Sequence, residues 1–263
     1  MNDAPIPSSP GPWTALGPSD APAIVFLHGT RLSRAQWRLQ MRRLSTRYRC
    51  VAVDLPGHGE RGAEPWSIEA ARAGVIAAIE AEVPSGRAVL VGLSLGAFVA
   101  IEVADVAPDR VAGLVLAGCS GEAFGEAFGA VGLPFRAFAR ILEYLPPPVL
   151  QLLNVGYFRL RYRRAVAEPI IEGGFWSAGG ARAVRSLAGR RLLERLGRLW
   201  TPVLIVNGAL DPVFAPGGDL WAAACRQGRR VVIPWATHLS NLDQPRAFSG
   251  HVARFVDRVA GRP

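Results

Sequence analysis

The sequence predicts an α/β protein with a mostly parallel central sheet and helices on both faces, with a helical insertion. Short apolar runs alternate with amphipathic helical stretches along most of the 263 residues. The pentapeptide Gly92-Leu93-Ser94-Leu95-Gly96 stands between one such run and a helical pattern. Two later runs open into loops that carry an aspartate, Asp211, and a histidine, His238. Strands alternating with helices imply crossover connections, and hence parallel pairing.

Residues 1–20 are rich in Pro, Ser and Gly and are expected to form a loose tail, with one short strand around Trp13–Leu16. Ala23–Leu27 is an unbroken apolar run, as a strand buried on both faces should be. Residues 34–44 space Trp37, Met41 and Leu44 on one helical face. Cys50–Val53 is the next strand, and residues 67–81 form a helix with Ser67 as its N-cap. Ala88–Val91, the pentapeptide, a helix over 97–106 and the strand Val111–Ala117 follow. From 120 to 196 no short buried strand occurs, only amphipathic stretches broken by Pro146-Pro147-Pro148 and Gly173-Gly174. This reads as a helical cap inserted into a core of residues 21–119 and 197–263. Alternation resumes with Val203–Val206, a helix over 219–225, Arg230–Ile233 and a final helix over 246–260.

Half of the residues are hydrophobic, which supplies a core, and the formal net charge is +9. All 30 basic residues are arginine, and they are scattered rather than gathered into one block. That distribution fits a compositional bias better than a nucleic-acid surface. Cys50, Cys119 and Cys225 are odd in number and far apart, which fits neither a disulfide framework nor a metal site. No secretory signal and no apolar run of membrane-spanning length is present, so the expectation is a cytoplasmic protein without membrane or nucleic-acid partners. No cofactor or metal is expected. The partner is a small-molecule substrate, and self-association is left open.

A strand that turns straight into a helix at Gly-x-Ser-x-Gly forces the serine into a strained conformation and lifts its hydroxyl clear of the sheet. Ser94 is therefore the candidate nucleophile. A serine hydroxyl needs a base, and the base needs an orienting acid. Of the four histidines, His28 and His58 lie in turns and His251 lies within the last helix. His238 alone follows a late strand, at the sheet edge where parallel-sheet proteins bind ligands. Asp211 follows the preceding strand in the same way, with Asp105, Asp219 and Asp243 as rivals for the acid. The backbone N–H of Leu95, first in the helix, and of Thr30, just past His28-Gly29, are the natural donors for a developing oxyanion.

These segments together resemble the α/β-hydrolase superfamily, in its capped, cofactor-free esterase, lactonase and perhydrolase-like branch. The likeness rests on His28-Gly29-Thr30 with Ser33 and Trp37, on Val53 to Gly59, on Gly92 to Gly96, on Gly208 to Pro212, and on His238-Leu239 with Gln244, Pro245 and Phe248. It implies Ser94, His238 and Asp211 as nucleophile, base and acid, Thr30 and Leu95 as oxyanion donors, and a helical cap. Trp235-Ala236-Thr237 departs from the small, Gly-containing approach to the base. Serine at position 94, in place of aspartate, argues against the dehalogenase and epoxide-hydrolase relatives. The expected activity is hydrolysis of a small or medium ester, lactone or related acyl compound. Two alternatives keep the scaffold: carbon–carbon bond hydrolysis, elimination or cyclisation by the same triad, and ligand binding without turnover. Phe124, Phe128, Phe135, Phe138, Tyr144, Phe158 and Trp176 are expected to include part of the pocket wall. Ordinary packing is the expectation for any single one of them.

Overall fold

The computed structural model describes residues 11–120, 146–187 and 189–261. One seven-stranded sheet runs in the order β1-β3-β2-β4-β5-β6-β7. Its strands are β1 (Trp13–Leu16), β2 (Ala23–Leu27), β3 (Arg49–Val53), β4 (Ala88–Leu93), β5 (Val111–Ala117), β6 (Val203–Gly208) and β7 (Gly228–Ile233). Every pairing is parallel except that of β1 with β3.

The edge strand β1 is the short strand expected around Trp13–Leu16, and it pairs antiparallel with β3. Asp54 donates its N–H to the Pro12 carbonyl, and the Trp13 indole donates to Glu82 at 2.9 Å. The first ten residues lie outside the described ones.

The alternation of β2 assigns its side chains to two layers. Ala23, Val25 and Leu27 face the helices α2 (Ile68–Glu82) and α3 (Leu95–Val106). Ile24 and Phe26 face α1 (Arg38–Leu44) and the C-terminal helix. Ser67 caps α2 as expected, accepting from the Ala70 N–H at 3.0 Å. The stretch 34–44 is not one α-helix. A 3₁₀ turn (Arg34–Trp37) precedes α1, and Asp54 accepts the Arg34 N–H at its entry.

Between β5 and β6 the described helices are α4 (Pro147–Arg161), α5 (Arg164–Glu172), α6 (Ser177–Ser186) and α7 (Leu192–Arg198). Phe158, Ala167 and Ile170 pack with Leu32 and Leu242, joining this insertion to the core. Glu102, fully buried on α3, takes ion pairs from Arg190 at 3.2 Å and Arg72 at 3.5 Å. The chain closes with α8 (Gly218–Ala224), a single-turn α9 (Ser240–Asp243) that the sequence pattern did not announce, and α10 (Pro245–Val259). No described helix is long and apolar enough to cross a membrane.

Candidate active site

Strands β4, β5, β6 and β7 are neighbours with aligned ends: Leu93 is opposite Ala117, Ala117 opposite Val206, and Gly208 opposite Ile233. The loops that leave these ends form one rim, and Ser94, Asp211 and His238 all lie in them.

Ser94 has φ 53° and ψ −115°, left-handed backbone that a non-glycine residue holds only at a cost. The turn is tight enough that a Cβ at Gly92 would collide with the backbone of Gly96 and Ala97. A Cβ at Gly96 would strike the Leu27 carbonyl. The motif glycines are thus required by space. α3 begins at the next residue and directs the positive end of its dipole at the serine.

Asp211 is buried and His238 is half-buried, and His238 Nδ1 lies 2.9 Å from Asp211 Oδ2. An ionised carboxylate only accepts, so Nδ1 donates to it, and in the neutral ring the lone pair then lies on Nε2. The other carboxylate oxygen of Asp211 accepts the N–H groups of Val213 and Phe214, each at 3.1 Å. Burial pushes the Asp211 carboxyl up, but the His238 bond and charge and the two amides together hold it below the ordinary carboxylate value. Phe214 stacks on the His238 ring with centroids 5.1 Å apart, fixing the plane of the imidazole. Asn207 and Ser120 clamp the Phe214 carbonyl at 3.1 and 2.7 Å.

The three rivals for the acid are engaged elsewhere. Asp105 pairs with Arg195, and Asp219 pairs with Arg230. Asp243 accepts the Thr237 N–H and hydroxyl and is also bonded by Tyr162 and Arg161 of the insertion.

Ser94 and His238 both lie beside the end of β5. The Ser94 N–H donates to the Ala117 carbonyl at 2.8 Å, and a Cβ on the next residue, Gly118, would lie 2.9 Å from the His238 ring. No direct hydrogen bond joins the two side chains. Gly118, with φ +55°, was not singled out by the sequence, although a glycine directly after a strand is its visible sign.

The N–H groups of Thr30 and Leu95 have no acceptor among the described residues. The loop that carries Thr30 is held by two buried histidines. His28 Nε2 accepts the Leu55 N–H at 3.0 Å, and His58 Nε2 accepts the Arg31 N–H at 3.3 Å. Burial lowers the His28 pKa to about 4. Burial, with His28 beside it, lowers that of His58 to about 3. Both rings are neutral acceptors at neutral pH.

Trp235 occupies φ 60°, the left-handed position where a glycine would be expected, and its side chain is exposed. Phe158 is buried among Leu32, Ile170 and Leu242, and Trp176 packs over Gly62 while donating to the Gly173 carbonyl, so both are packing residues. The other aromatic residues expected at the pocket wall lie outside the described residues. The cysteines are buried and free, and burial pushes the thiols of Cys50 and Cys225 up to about 12 and about 11. A cavity of about 540 Å³ on the β1 side is lined by Arg34, Arg38, Asp54 and Trp176 but contains none of the three rim residues.

Comparison with known proteins agrees with this fold. The chain is 30% identical to the pimeloyl-[acyl-carrier protein] methyl ester esterase of Edwardsiella ictaluri, over 89% of this chain and 93% of that protein. It is 23% identical to 3-oxoadipate enol-lactonase 2 of Acinetobacter baylyi, over 94% and 92%. Among solved structures, a thermophilic esterase from Thermogutta terrifontis with malate bound superimposes with a TM-score of 0.75 at 25% identity, covering 94% of this chain and 93% of that one. The family model described as "Alpha/beta hydrolase family" matches residues 24–250, and the chain belongs to that family.

Proposed function

We propose that this protein is a serine hydrolase of carboxylic esters, acting on a small or medium ester, lactone or related acyl compound through an acyl-enzyme on Ser94. His238 takes the hydroxyl proton as Ser94 attacks the carbonyl, and Asp211 stabilises the imidazolium that forms. The N–H groups of Thr30 and Leu95 receive the oxyanion, each worth about 3 kcal/mol in the transition state. His238 then protonates the leaving group, and water, activated by the same ring, releases the acid. The insertion over 120–196 acts as a cap on the acyl pocket. The unpaired, buried thiols suit a reducing, cytoplasmic setting.

The observation that carries this reading is a strained, dipole-facing Ser94 on the same sheet rim as a His238 whose Nδ1 is bonded to the buried Asp211. Both relatives named above act on ester bonds, one on a methyl ester and one on a lactone. The test is a panel of p-nitrophenyl esters alongside a dienol diketone. Ester turnover is expected in the native protein, with a loss of about 10⁶ in kcat for Ser94→Ala at unchanged fold. Undiminished ester turnover in that variant refutes the assignment. Turnover of the diketone alone moves the reaction to carbon–carbon cleavage.

A further inference from the structure

The loop after β2 holds more hydrogen-bond donors than an oxyanion needs. Thr30 Oγ1, Arg31 Nε and Asn154 Nδ2 are shielded from solvent and have no partner among the described residues. They form one cluster, because Thr30 and Arg31 are consecutive and Arg31 Nη2 donates to Asn154 Oδ1, on α4, at 3.1 Å. A guanidinium has only hydrogens to give, so the Asn154 oxygen faces it and the amide hydrogens are left unused. Each unmet buried donor costs about 1–3 kcal/mol, more for a charged group, unless a ligand meets it.

Several other partly buried arginines have carboxylate partners: Arg34 has Asp54, Arg49 has Glu82, and Arg190 has Glu102. Arg31 has none among the described residues, and burial alone lowers its pKa. It is not loosely placed. Its backbone holds φ +65°, its N–H is fixed by His58, and its carbonyl accepts the Trp176 N–H at 2.9 Å. Gly180 of α6 presses on the cluster, since a Cβ there would lie 2.7 Å from Thr30 Oγ1 and 2.8 Å from Arg31 Cγ. A fixed cation without a counter-ion among the described residues, one residue from the proposed oxyanion donor, is a recognition element awaiting an anion.

We propose that Arg31, Asn154 and Thr30 bind a free carboxylate at the far end of the substrate's acyl group. The favoured substrates are then monoesters of dicarboxylic acids, or lactones that carry a carboxylate. This rests on the reading of Ser94 and Thr30 given above. Arg31 Nε–H and the second Nη2 hydrogen offer a side-on fork that matches the two carboxylate oxygens. The Asn154 amide and the Thr30 hydroxyl can supply further donors to the same group.

The experiment compares monomethyl adipate with dimethyl adipate, and monomethyl with dimethyl glutarate. The acid-ended substrate is expected to lead in kcat/KM by about tenfold to a hundredfold, the scale of a charged hydrogen bond. That ratio should collapse towards one in Arg31→Met and fall in Asn154→Leu, which also serves if the strained position 31 resists substitution. A ratio of one or less in the native protein, or one that both variants leave intact, overturns the proposal. Calorimetric titration of Ser94→Ala protein with adipate separates the two readings. If fluorophosphonate leaves Ser94 unmodified yet adipate binds in an Arg31-dependent way, the hydrolase reading falls and the carboxylate site stands. If Ser94 is labelled but adipate shows no Arg31-dependent binding, the hydrolase reading stands and the carboxylate site falls.

Discussion

The rim of the sheet and the insertion above it are built in different ways. At the rim, position is set by backbone: glycines admit close passes, Ser94 sits in a strained turn, and Asp211 is held by two main-chain amides. In the insertion, position is set by side chains from distant parts of the chain. Phe158 reaches Leu32 and Leu242, Trp66 donates to Ser186 at 2.8 Å, and Arg190 reaches Glu102. The outer side of α4 meanwhile leaves Leu152 and Leu160 exposed, Leu160 by 92%.

This contrast can be broken most sharply at Asp211. Asp211→Asn should preserve the fold and lower kcat by about 10⁴, because the wrong imidazole tautomer then faces Ser94. Steady-state kinetics with a p-nitrophenyl ester reads this, and a loss below tenfold would mean that the carboxylate is structural. Phe158→Ala probes the other region. Truncating a fully packed aromatic costs about 3–5 kcal/mol. A single, lowered thermal transition is expected if the insertion is coupled to the core through Leu32 and Leu242, whereas two transitions would uncouple them.

Acid sharpens the comparison, because the two buried histidines hold the loops after β2 and β3 rather than the insertion's own helices. Their folded pKa values, about 4 for His28 and about 3 for His58, lie below the unfolded value of 6.5. Between those limits the unfolded chain binds more protons, so stability is full above pH 6.5 and falls as pH drops towards 4. The slope is about 1.4 kcal/mol per pH unit for each ring. Denaturant titrations at pH 7 and pH 5 should register the loss, and His58→Gln should reduce it. Asp211 adds a loss of the same sign at lower pH, since its depressed carboxyl must be protonated. The smallest effect belongs to the exposed outer side of α4. Leu160→Ser should change stability by less than about 0.5 kcal/mol, and a larger loss in a melting curve would show that this side is covered.

The same contrast explains what the sequence made legible. Strands announced themselves as unbroken apolar runs, and the Gly92–Gly96 motif identified Ser94 because its spacing encodes a local backbone shape. Asp211 and His238 were recognisable from their place after successive strands. Asp211 was preferred as the acid from the sequence, and the rival Asp243, which lies closer in sequence to His238, is bonded to Thr237, Tyr162 and Arg161. Arg31 and Asn154, separated by more than a hundred residues, carry no pattern that would join them. The sequence pointed to a short strand around Trp13–Leu16 but not to its antiparallel pairing with β3.

The most direct measurement is the rate and position of fluorophosphonate labelling, read by peptide mass spectrometry in the native protein, His238→Ala and Asp211→Asn. A single adduct on Ser94, formed rapidly in the native protein and far more slowly in both variants, is the predicted result. An adduct on another serine, or one on Ser94 that forms equally fast without His238, would contradict it.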